Sequence, residues 1–243
     1  MFRTILAGAA VSILTILLGP VAVAAHMLRI DEENRRVQQW CMRTWARGVC
    51  LAAGVKIRVH DFERAQITGG TVYVSNHTSW FDIFATASSI PRYTFVAKAE
   101  LRRIPIFGWG AEGAGVVFLE RENRKSAFEA YSKVAEKVAN GLNVIVYPEG
   151  TRGEEYTMRP FKKGPFVLAI AAKAPVIPVV VHGSREVMSR DDWTVKPGVI
   201  DIHFLEPVPT DGYDYDHRHE LMTMVSRRMA DTLAAEHGVA KND

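Results

Sequence analysis

Short β-branched and aromatic runs alternate with longer amphipathic stretches from Gly54 onward. The run VKIRVH places Val55, Ile57 and Val59 on one face, which is typical of a strand. The stretch ENRKSAFEAYSKVAEKVANG repeats apolar residues at helical spacing and ends at Gly141, which favours a helix stop. The other strand-like runs are TVYVS, TFVAK, GVVFLE, NVIVY, VIPVVVH and VIDIHFLE, and a last helix is expected in DHRHELMTMVSRRMADTLAAEHG. This alternation predicts an α/β fold with a single mixed, largely parallel sheet covered by helices on both faces.

The first 53 residues have a different pattern. They predict an N-terminal membrane-associated helical segment at 1–53, which precedes an α/β domain at 54–243. No Lys, Arg, Asp or Glu occurs from Thr4 to Leu28, and a bilayer is crossed by roughly 20 apolar residues. Gly19-Pro20 is expected to break this run into two pieces, as in a kinked or shallowly inserted helix. The alternative is a cleaved signal peptide that ends near the small-residue pattern AVA.

An amphipathic stretch follows the apolar run. It carries an apolar stripe at helical spacing, formed by Val37, Trp40, Cys41, Trp45 and Val49. A stripe with tryptophans among arginines fits either an interfacial membrane anchor or packing against the domain. The arginines are Arg29, Arg35, Arg36, Arg43 and Arg47. Because positive residues favour the cytoplasmic side of a membrane segment, they place the rest of the chain in the cytoplasm.

The composition narrows the class of protein. With 243 residues, 48% hydrophobic and 23% charged, the chain is neither disordered nor fully membrane-embedded. A net charge of +3 is too small to indicate nucleic-acid binding, and it suits an anionic membrane surface or an anionic substrate. Cys41 and Cys50 are nine residues apart in an expected helix, about 13 Å along its axis and too far for a disulfide. We therefore interpret both as thiols.

Four polar loops each close a predicted strand. They are NHTSWFD after TVYVS, ERENR after GVVFL, PEGTRG after NVIVY, and GS after VIPVVVH. In sheets of this kind, sites gather beyond the carboxyl ends of the strands. Loops with a histidine, several arginines and acidic residues at that edge predict a common pocket.

His77 and Asp82 in the first loop are candidates for a catalytic pair. With His77 at the end of a strand and Asp82 in the first turn of a helix, the carboxylate reaches back to the imidazole. An aspartate on one ring nitrogen fixes the tautomer and leaves the other nitrogen as a base. The spacing Ser79-x-x-Asp82 also fits the outline of a capping box. These residues alone leave a helix cap and a catalytic pair open.

Several familiar motifs are missing from the sequence. It has no Gly-x-Ser-x-Gly elbow, no Walker loop and no Gly-x-Gly-x-x-Gly after a strand. The histidines lack metal-ligand spacing, so no metal site is predicted. His182 and His203 lie in apolar strands and are interpreted as structural, and His217 as part of a solvated helix start. A base without an enzyme nucleophile predicts direct attack by water or a substrate hydroxyl.

The four blocks NHTSWFD, GVVFLERENR, YPEGTRG and VIPVVVHG resemble, in order, those of the glycerolipid acyltransferase family, which includes the 1-acyl-glycerol-3-phosphate acyltransferases. The resemblance runs from about Gly54 to Leu205, and within it VAKAEL and FKKG resemble the family's intervening segments. It implies transfer of a fatty acyl group from acyl-CoA or acyl-ACP to the sn-2 hydroxyl of 1-acyl-glycerol-3-phosphate, making phosphatidic acid. It also implies a membrane lipid surface as partner, a catalytic domain on the cytoplasmic side, and no cofactor.

The same resemblance implies a role for each candidate site residue. His77 is the general base, Asp82 orients it, and no covalent acyl-enzyme forms. The residues expected to bind the phosphate of the acceptor are Arg121, Arg152 and Lys98. Those expected to organise the site or to supply backbone N–H groups to the oxyanion are Glu149, Gly150 and Thr151. Glu120 stands where the family commonly has an aspartate. This difference bears on the direction in which the side chain of Arg121 is expected to point.

Three alternatives remain open at this point. The first is an acyltransferase of the same fold with another acceptor, such as a lyso-ornithine lipid or a lysophospholipid with a full headgroup. The second is a non-catalytic lipid-binding or membrane-remodelling module. The third, a secreted hydrolase, requires cleavage of the N-terminal segment as a signal peptide.

Overall fold

The computed structural model describes residues 1–30, 35–67, 69–120 and 124–240, with the backbone alone for 124–128. Its α-helices are α1 (Phe2–Met27), α2 (Arg36–Ala53), α3 (Phe81–Ser89), α4 (Phe107–Gly113), α5 (Arg124–Ala139), α6 (Gly164–Ala172), α7 (Ser184–Val187) and α8 (Arg218–His237). Its strands are β1 (Val55–His60), β2 (Val72–Ser75), β3 (Tyr93–Lys98), β4 (Val117–Leu119), β5 (Asn143–Val146), β6 (Val176–His182) and β7 (Gly198–Phe204).

In the described part of the chain the strands form one seven-stranded sheet in the order β1-β7-β6-β2-β5-β3-β4. Neighbours are parallel except β6 and β7, which pair antiparallel. The predicted mixed, largely parallel sheet is therefore confirmed. Because β2 to β6 share one direction, their carboxyl ends lie at one edge of the sheet, and β1 and β7 end at the opposite edge.

Helices cover both faces of the sheet. Tyr73 and Ile145 pack on one face in a cluster with apolar residues of α1, α2 and α3. Val72 and Val144 face the other way and pack with α5, α6 and α8. The alternation of buried residues along each central strand fills both layers, because successive side chains point to opposite faces.

Two helices stop where the sequence predicts. Gly141 adopts φ +89° and its N–H donates to the carbonyl of Val138, closing the end of α5. Gly238 adopts φ +66° after α8. Both positions have the left-handed conformation that glycine adopts without steric cost.

The prediction that Gly19-Pro20 breaks the apolar run is wrong. α1 continues through Pro20 as one helix, long and apolar enough by length and composition to cross a bilayer. Gly19 lies where α1 crosses α4, and a Cβ on Gly110 would come within 3.1 Å of the Gly19 Cα atom. The glycine therefore permits close approach of two helices.

The two tryptophans in the apolar stripe of α2 lie in different environments. Trp45 donates its indole N–H to Thr15 Oγ1 at 3.0 Å, and its ring lies 4.9 Å from that of Phe84. Trp40 in the same stripe is 57% exposed. Trp45 therefore packs on the domain, whereas Trp40 lies at the surface, as an interfacial membrane anchor would.

The N-terminal segment shares a core with the sheet. α2 ends at Ala53, next to the predicted boundary at residue 54, and Ala53 belongs to the core cluster that contains Tyr73. Arg43 and Arg47 donate to carbonyls at the carboxyl end of α3, where positive charge is favourable. Cys41 and Cys50 are buried free thiols, as expected.

We expect Gly113→Ala to lower the free energy of unfolding by about 1–3 kcal/mol, the usual cost of overpacking. A Cβ at Gly113 would lie 2.9 Å from the Cα atom of Val23 in α1, a backbone atom that cannot rotate away. Gly8→Ala is the matched control, since nothing lies within 4 Å of its Cβ position. Thermal unfolding in detergent micelles, followed by circular dichroism, measures both. Equal stability of the two variants would contradict this account of the α1–α4 contact.

Candidate active site

His77 and Asp82 meet as their spacing predicts. β2 ends at Ser75 and α3 begins at Phe81, so Asp82 lies in the first helical turn. Its Oδ2 atom is 2.9 Å from Nδ1 of His77, and its side chain is fully buried. Among the described residues no hydrogen bond engages the other ring nitrogen of His77, whose side chain is 12% exposed.

Asp82 also caps its own helix. The backbone N–H groups of Thr78 and Ser79 donate to the same Oδ2 atom, at 2.7 and 2.8 Å. The choice between a cap and a catalytic pair is therefore not exclusive, because one oxygen does both. A carboxylate oxygen that accepts three N–H groups is fixed in place beside the imidazole.

Glu149 holds the backbone of His77. Its Oε1 accepts the N–H of His77 at 2.7 Å, and its Oε2 accepts the N–H of Arg159 at 3.1 Å. The carbonyl of His77 accepts the N–H of Gly153 at 2.7 Å. The first and third loops are thus joined through both the N–H and the carbonyl of one residue, His77. Glu149 contacts these backbone groups instead of pairing with Arg152.

Burial raises the pKa of Glu149 to about 7, outweighing the two backbone donors that lower it. Between its ordinary pKa and about 7 the folded protein holds a proton that the unfolded chain has released. The stability contributed by this titration is therefore present at low pH and is lost as pH rises through about 7.

We expect the stability of the wild type relative to Glu149→Gln to fall by up to about 3 kcal/mol between pH 4 and pH 8. Glutamine does not titrate, and the other ionisable groups cancel in the comparison. Urea unfolding of both proteins across this range measures the difference. A difference that stays constant with pH would show that Glu149 does not titrate in this window.

The residues expected to supply N–H groups to the oxyanion lie in the turn after β5. Gly150 adopts φ +77°, and its N–H donates to the carbonyl of Tyr147 at 3.1 Å, within the turn. This donor is engaged within the protein, and the role of the turn in binding an oxyanion stays a prediction. The side chain of Lys162 fills the space that a Cβ on Gly150 would need, with its Cε and Nζ atoms 2.8 Å from that position. Thr151 is exposed at the same turn.

Arg152 lies beside the first loop. Its guanidinium carbon is 5.2 Å from the centre of the Trp80 ring, and its Nη1 donates to the carbonyl of Arg190 at 3.1 Å. Stacking and one hydrogen bond fix the plane of the guanidinium and leave it other N–H donors.

Of the other two residues expected to bind the phosphate, the structure describes Lys98 but not Arg121. Lys98 ends β3 at the same edge of the sheet as His77, is half exposed, and pairs with Glu100 at 2.7 Å. Arg121 lies outside the described residues. Of the side chains predicted to act at the site, the structure brings together those of His77, Asp82, Glu149 and Arg152.

The fourth loop joins the first through side chains. Thr78 Oγ1 lies 3.2 Å from Ser184 Oγ, and Ser79 Oγ donates to the carbonyl of Met188 at 2.7 Å. Three of the four predicted loops thus meet at one edge. The second loop begins at Glu120, and its residues 121–123 lie outside the description.

Asn76 is a structural residue of the site that the sequence analysis gave no role. Its amide exchanges two hydrogen bonds with the backbone of Val181, at 2.8 and 2.9 Å. The β2–β6 ladder ends at Ser75, so the side chain continues it by one step. The sequence feature that could have indicated this role is the position of the asparagine directly after a buried strand.

The two histidines interpreted as structural, His182 and His203, both contact His237. His203 Nε2 lies 3.0 Å from His237 Nε2, and the rings of His182 and His237 stack at 3.9 Å. His217 is the exposed first residue before α8 and bonds Asp214. His182 and His203 therefore pack within the fold, and His217 lies exposed at the start of α8.

A family model described as Acyltransferase matches residues 56–182. The chain is 36% identical over 178 residues to the acl-2 protein of Caenorhabditis elegans, covering 72% of this chain and 63% of that one. It is 35% identical to the 1-acyl-sn-glycerol-3-phosphate acyltransferase of Saccharomyces cerevisiae, covering 67% and 55%. It is 31% identical to the human enzyme of that name, beta form, covering 79% and 70%. The chain thus spans little more than half of the yeast relative and about three fifths of the nematode one.

One solved structure is similar over nearly the whole chain. It is the 1-acyl-sn-glycerophosphate acyltransferase PlsC of Thermotoga maritima, with a TM-score of 0.83 and 24% identity. The match covers 99% of this chain and 97% of that one, including the N-terminal helices. It shows that the two chains share their fold.

Proposed function

The chain belongs to the acyltransferase family, and from that premise we propose that it moves a fatty acyl group from a thioester donor to the sn-2 hydroxyl of 1-acyl-glycerol-3-phosphate, making phosphatidic acid. The observation that carries the proposal is the His77–Asp82 pair, with the second imidazole nitrogen left for a substrate. The names of the yeast and human relatives support the choice of acceptor.

The reaction balances without an enzyme nucleophile. The free imidazole nitrogen of His77 takes the proton of the hydroxyl, whose oxygen attacks the thioester carbonyl. The tetrahedral oxyanion collapses and breaks the carbon–sulfur bond. The imidazolium returns its proton to the leaving thiolate of acyl-CoA or acyl-ACP. Asp82 stabilises the imidazolium in the interval.

The side chains near His77 support direct transfer. The three neighbouring hydroxyls each bond a group other than the imidazole: Ser75 bonds Asn76, Thr78 bonds Ser184, and Ser79 bonds Met188. Burial raises the pKa of the Cys41 thiol, and that of Cys50 to about 12. Neither thiol is a nucleophile near neutral pH.

The oxyanion and the acceptor's phosphate need donors. With the Gly150 N–H engaged, the candidate backbone donors are those of Glu149 and Thr151. Arg152 contributes the planar fork that matches a phosphate, and its stack on Trp80 holds it beside the loop of His77. Lys98 and Arg121 complete the proposed phosphate site.

We also propose that the protein acts at a membrane surface with its α/β domain on the cytoplasmic side. α1 supplies an apolar helix of 26 residues, and basic residues follow it. Protease treatment of sealed vesicles of both orientations tests the side. Protection of the domain in inside-out vesicles would oppose the cytoplasmic placement.

We expect the purified protein, given a labelled acyl donor, to transfer the acyl group preferentially to 1-acyl-glycerol-3-phosphate. We expect Arg152→Ala to lower the efficiency of transfer to that acceptor roughly 10- to 100-fold, which corresponds to the loss of a charge-assisted hydrogen bond. The panel contains 1-acyl-glycerol without phosphate, a lysophospholipid with a full headgroup and a lyso-ornithine lipid. Arg152→Lys is the matched variant, since it keeps the charge and loses the fork.

Acyl-CoA and acyl-ACP are supplied in parallel to identify the donor. A robust preference for a phosphate-free acceptor would overturn the choice of substrate. Absence of transfer with every acceptor and both donors would favour a non-catalytic lipid-binding module.

A further inference from the structure

Tyr147 lies face to face with the proposed base. It is the first residue after β5 and precedes Glu149 by two positions. The centre of its ring is 4.2 Å from that of the His77 imidazole, and the two planes are inclined by 24°. This is close stacking over the face of the imidazole, whereas Asp82 approaches in the plane of the ring at Nδ1.

The tyrosine ring is held from two other directions. Phe95 lies nearly parallel to it, at 11°, with ring centres 6.5 Å apart. The Tyr147 hydroxyl is 2.9 Å from Thr86 Oγ1, which donates its own proton to the carbonyl of Asp82 at 2.8 Å. Since the threonine proton is engaged, the phenol donates to Thr86. The ring against His77 is therefore anchored to the helix that carries Asp82.

The stack faces the group that becomes charged during the proposed reaction. When His77 accepts a proton, a positive charge spreads over an imidazolium whose face lies against the negative π-surface of a phenol. Burial and the nearby Asp82 raise the pKa of Tyr147 well above its ordinary value, so the phenol stays neutral and keeps its bond to Thr86. The in-plane carboxylate and the facing ring act on the same cation from different directions.

We propose that Tyr147 is a positioning residue that fixes the plane of the His77 imidazole and stabilises its protonated form through the face of the phenol ring. The inference rests on the proposed function, in which His77 carries a proton in the transition state. An interaction present in the transition state and weaker in the ground state acts on kcat. Cation–π stabilisation at partly desolvated sites corresponds to about 2- to 30-fold in rate.

The test replaces Tyr147 with phenylalanine and with its 4-fluoro, 3,5-difluoro and 3,4,5-trifluoro derivatives. Fluorine withdraws electron density from the ring face while nearly preserving its shape. We expect Tyr147→Phe to retain most of the activity, and kcat to fall stepwise with each added fluorine, about 2- to 30-fold over the series, at constant KM. The same series at Phe95 is the matched control, because that ring stacks on Tyr147 and, among the described residues, makes no ring contact with His77, and it should leave kcat flat. A flat series at position 147, or equal slopes at both positions, would overturn the electrostatic role.

A second measurement does not depend on turnover. In protein with labelled histidine, the His77 signal is identified by its loss in His77→Ala. We expect its ring protons to be shifted upfield by the facing ring in the wild type and in Tyr147→Phe, and to move downfield in Tyr147→Leu. An unshifted wild-type signal would show that the stack is absent. A shifted signal in a protein that acylates no lysolipid would instead refute the proposed function while leaving the stack in place.

Discussion

Replacing His77 with alanine is expected to lower kcat about 10²–10⁴-fold, the contribution of a positioned general base. The imidazole nitrogen that faces away from Asp82 has no hydrogen-bond partner among the described residues, so it is the group left to take the hydroxyl proton. Steady-state rates with labelled acyl donor and 1-acyl-glycerol-3-phosphate measure the loss.

The fold should survive this change. The two hydrogen bonds that join residue 77 to the third loop use its backbone N–H and carbonyl, and alanine keeps both. Circular dichroism and membrane flotation of the variant should therefore match the wild type. His219→Ala is the matched control, since His219 is exposed on α8 and should retain full activity. A His77→Ala protein within a few-fold of wild-type turnover would remove His77 as the base.

Asp82→Asn is expected to lower kcat by about 10²–10⁴-fold and to lower the free energy of unfolding by about 1–3 kcal/mol. All three donors converge on Oδ2. An asparagine oxygen placed there still accepts hydrogen bonds but lacks the charge that stabilises an imidazolium. Its amide group then lies at Oδ1, for which no hydrogen-bond partner occurs among the described residues.

Ser79→Ala separates capping from catalysis. The Ser79 hydroxyl accepts the N–H of Phe81 and donates to Met188, and it makes no contact with the imidazole. Its loss should cost about 1 kcal/mol of stability, as for other helix caps, with kcat near the wild-type value. If Ser79→Ala and Asp82→Asn lost stability and kcat to the same extent, the role of Asp82 would be only to stabilise the start of α3.

The sheet and the meeting of the loops were predictable because they depend on local patterns. Strand runs alternate with helical ones, and parallel strands bring their carboxyl ends to one edge. The spacing of His77 and Asp82 sufficed for their contact, since a strand end and a first helical turn are adjacent in the chain.

Contacts between loops were not predictable in this way. Nothing in YPEGTRG shows that Glu149 divides its oxygens between two backbone N–H groups, or that Tyr147 stacks on His77. The role of Gly19 likewise depends on Gly110, 91 positions further along. Such contacts are fixed by the packed fold, and a single sequence carries no periodic signal for them.

The reversal of β7 gives the molecule an edge that lies away from the proposed catalytic residues. Because β1 and β7 run against the other five strands, the turn after β7 emerges at the edge opposite His77. Gly212 in that turn is exposed, and its Cβ position is open to solvent. An affinity tag or fluorophore inserted there would report on the protein in a membrane from the edge opposite the proposed catalytic residues.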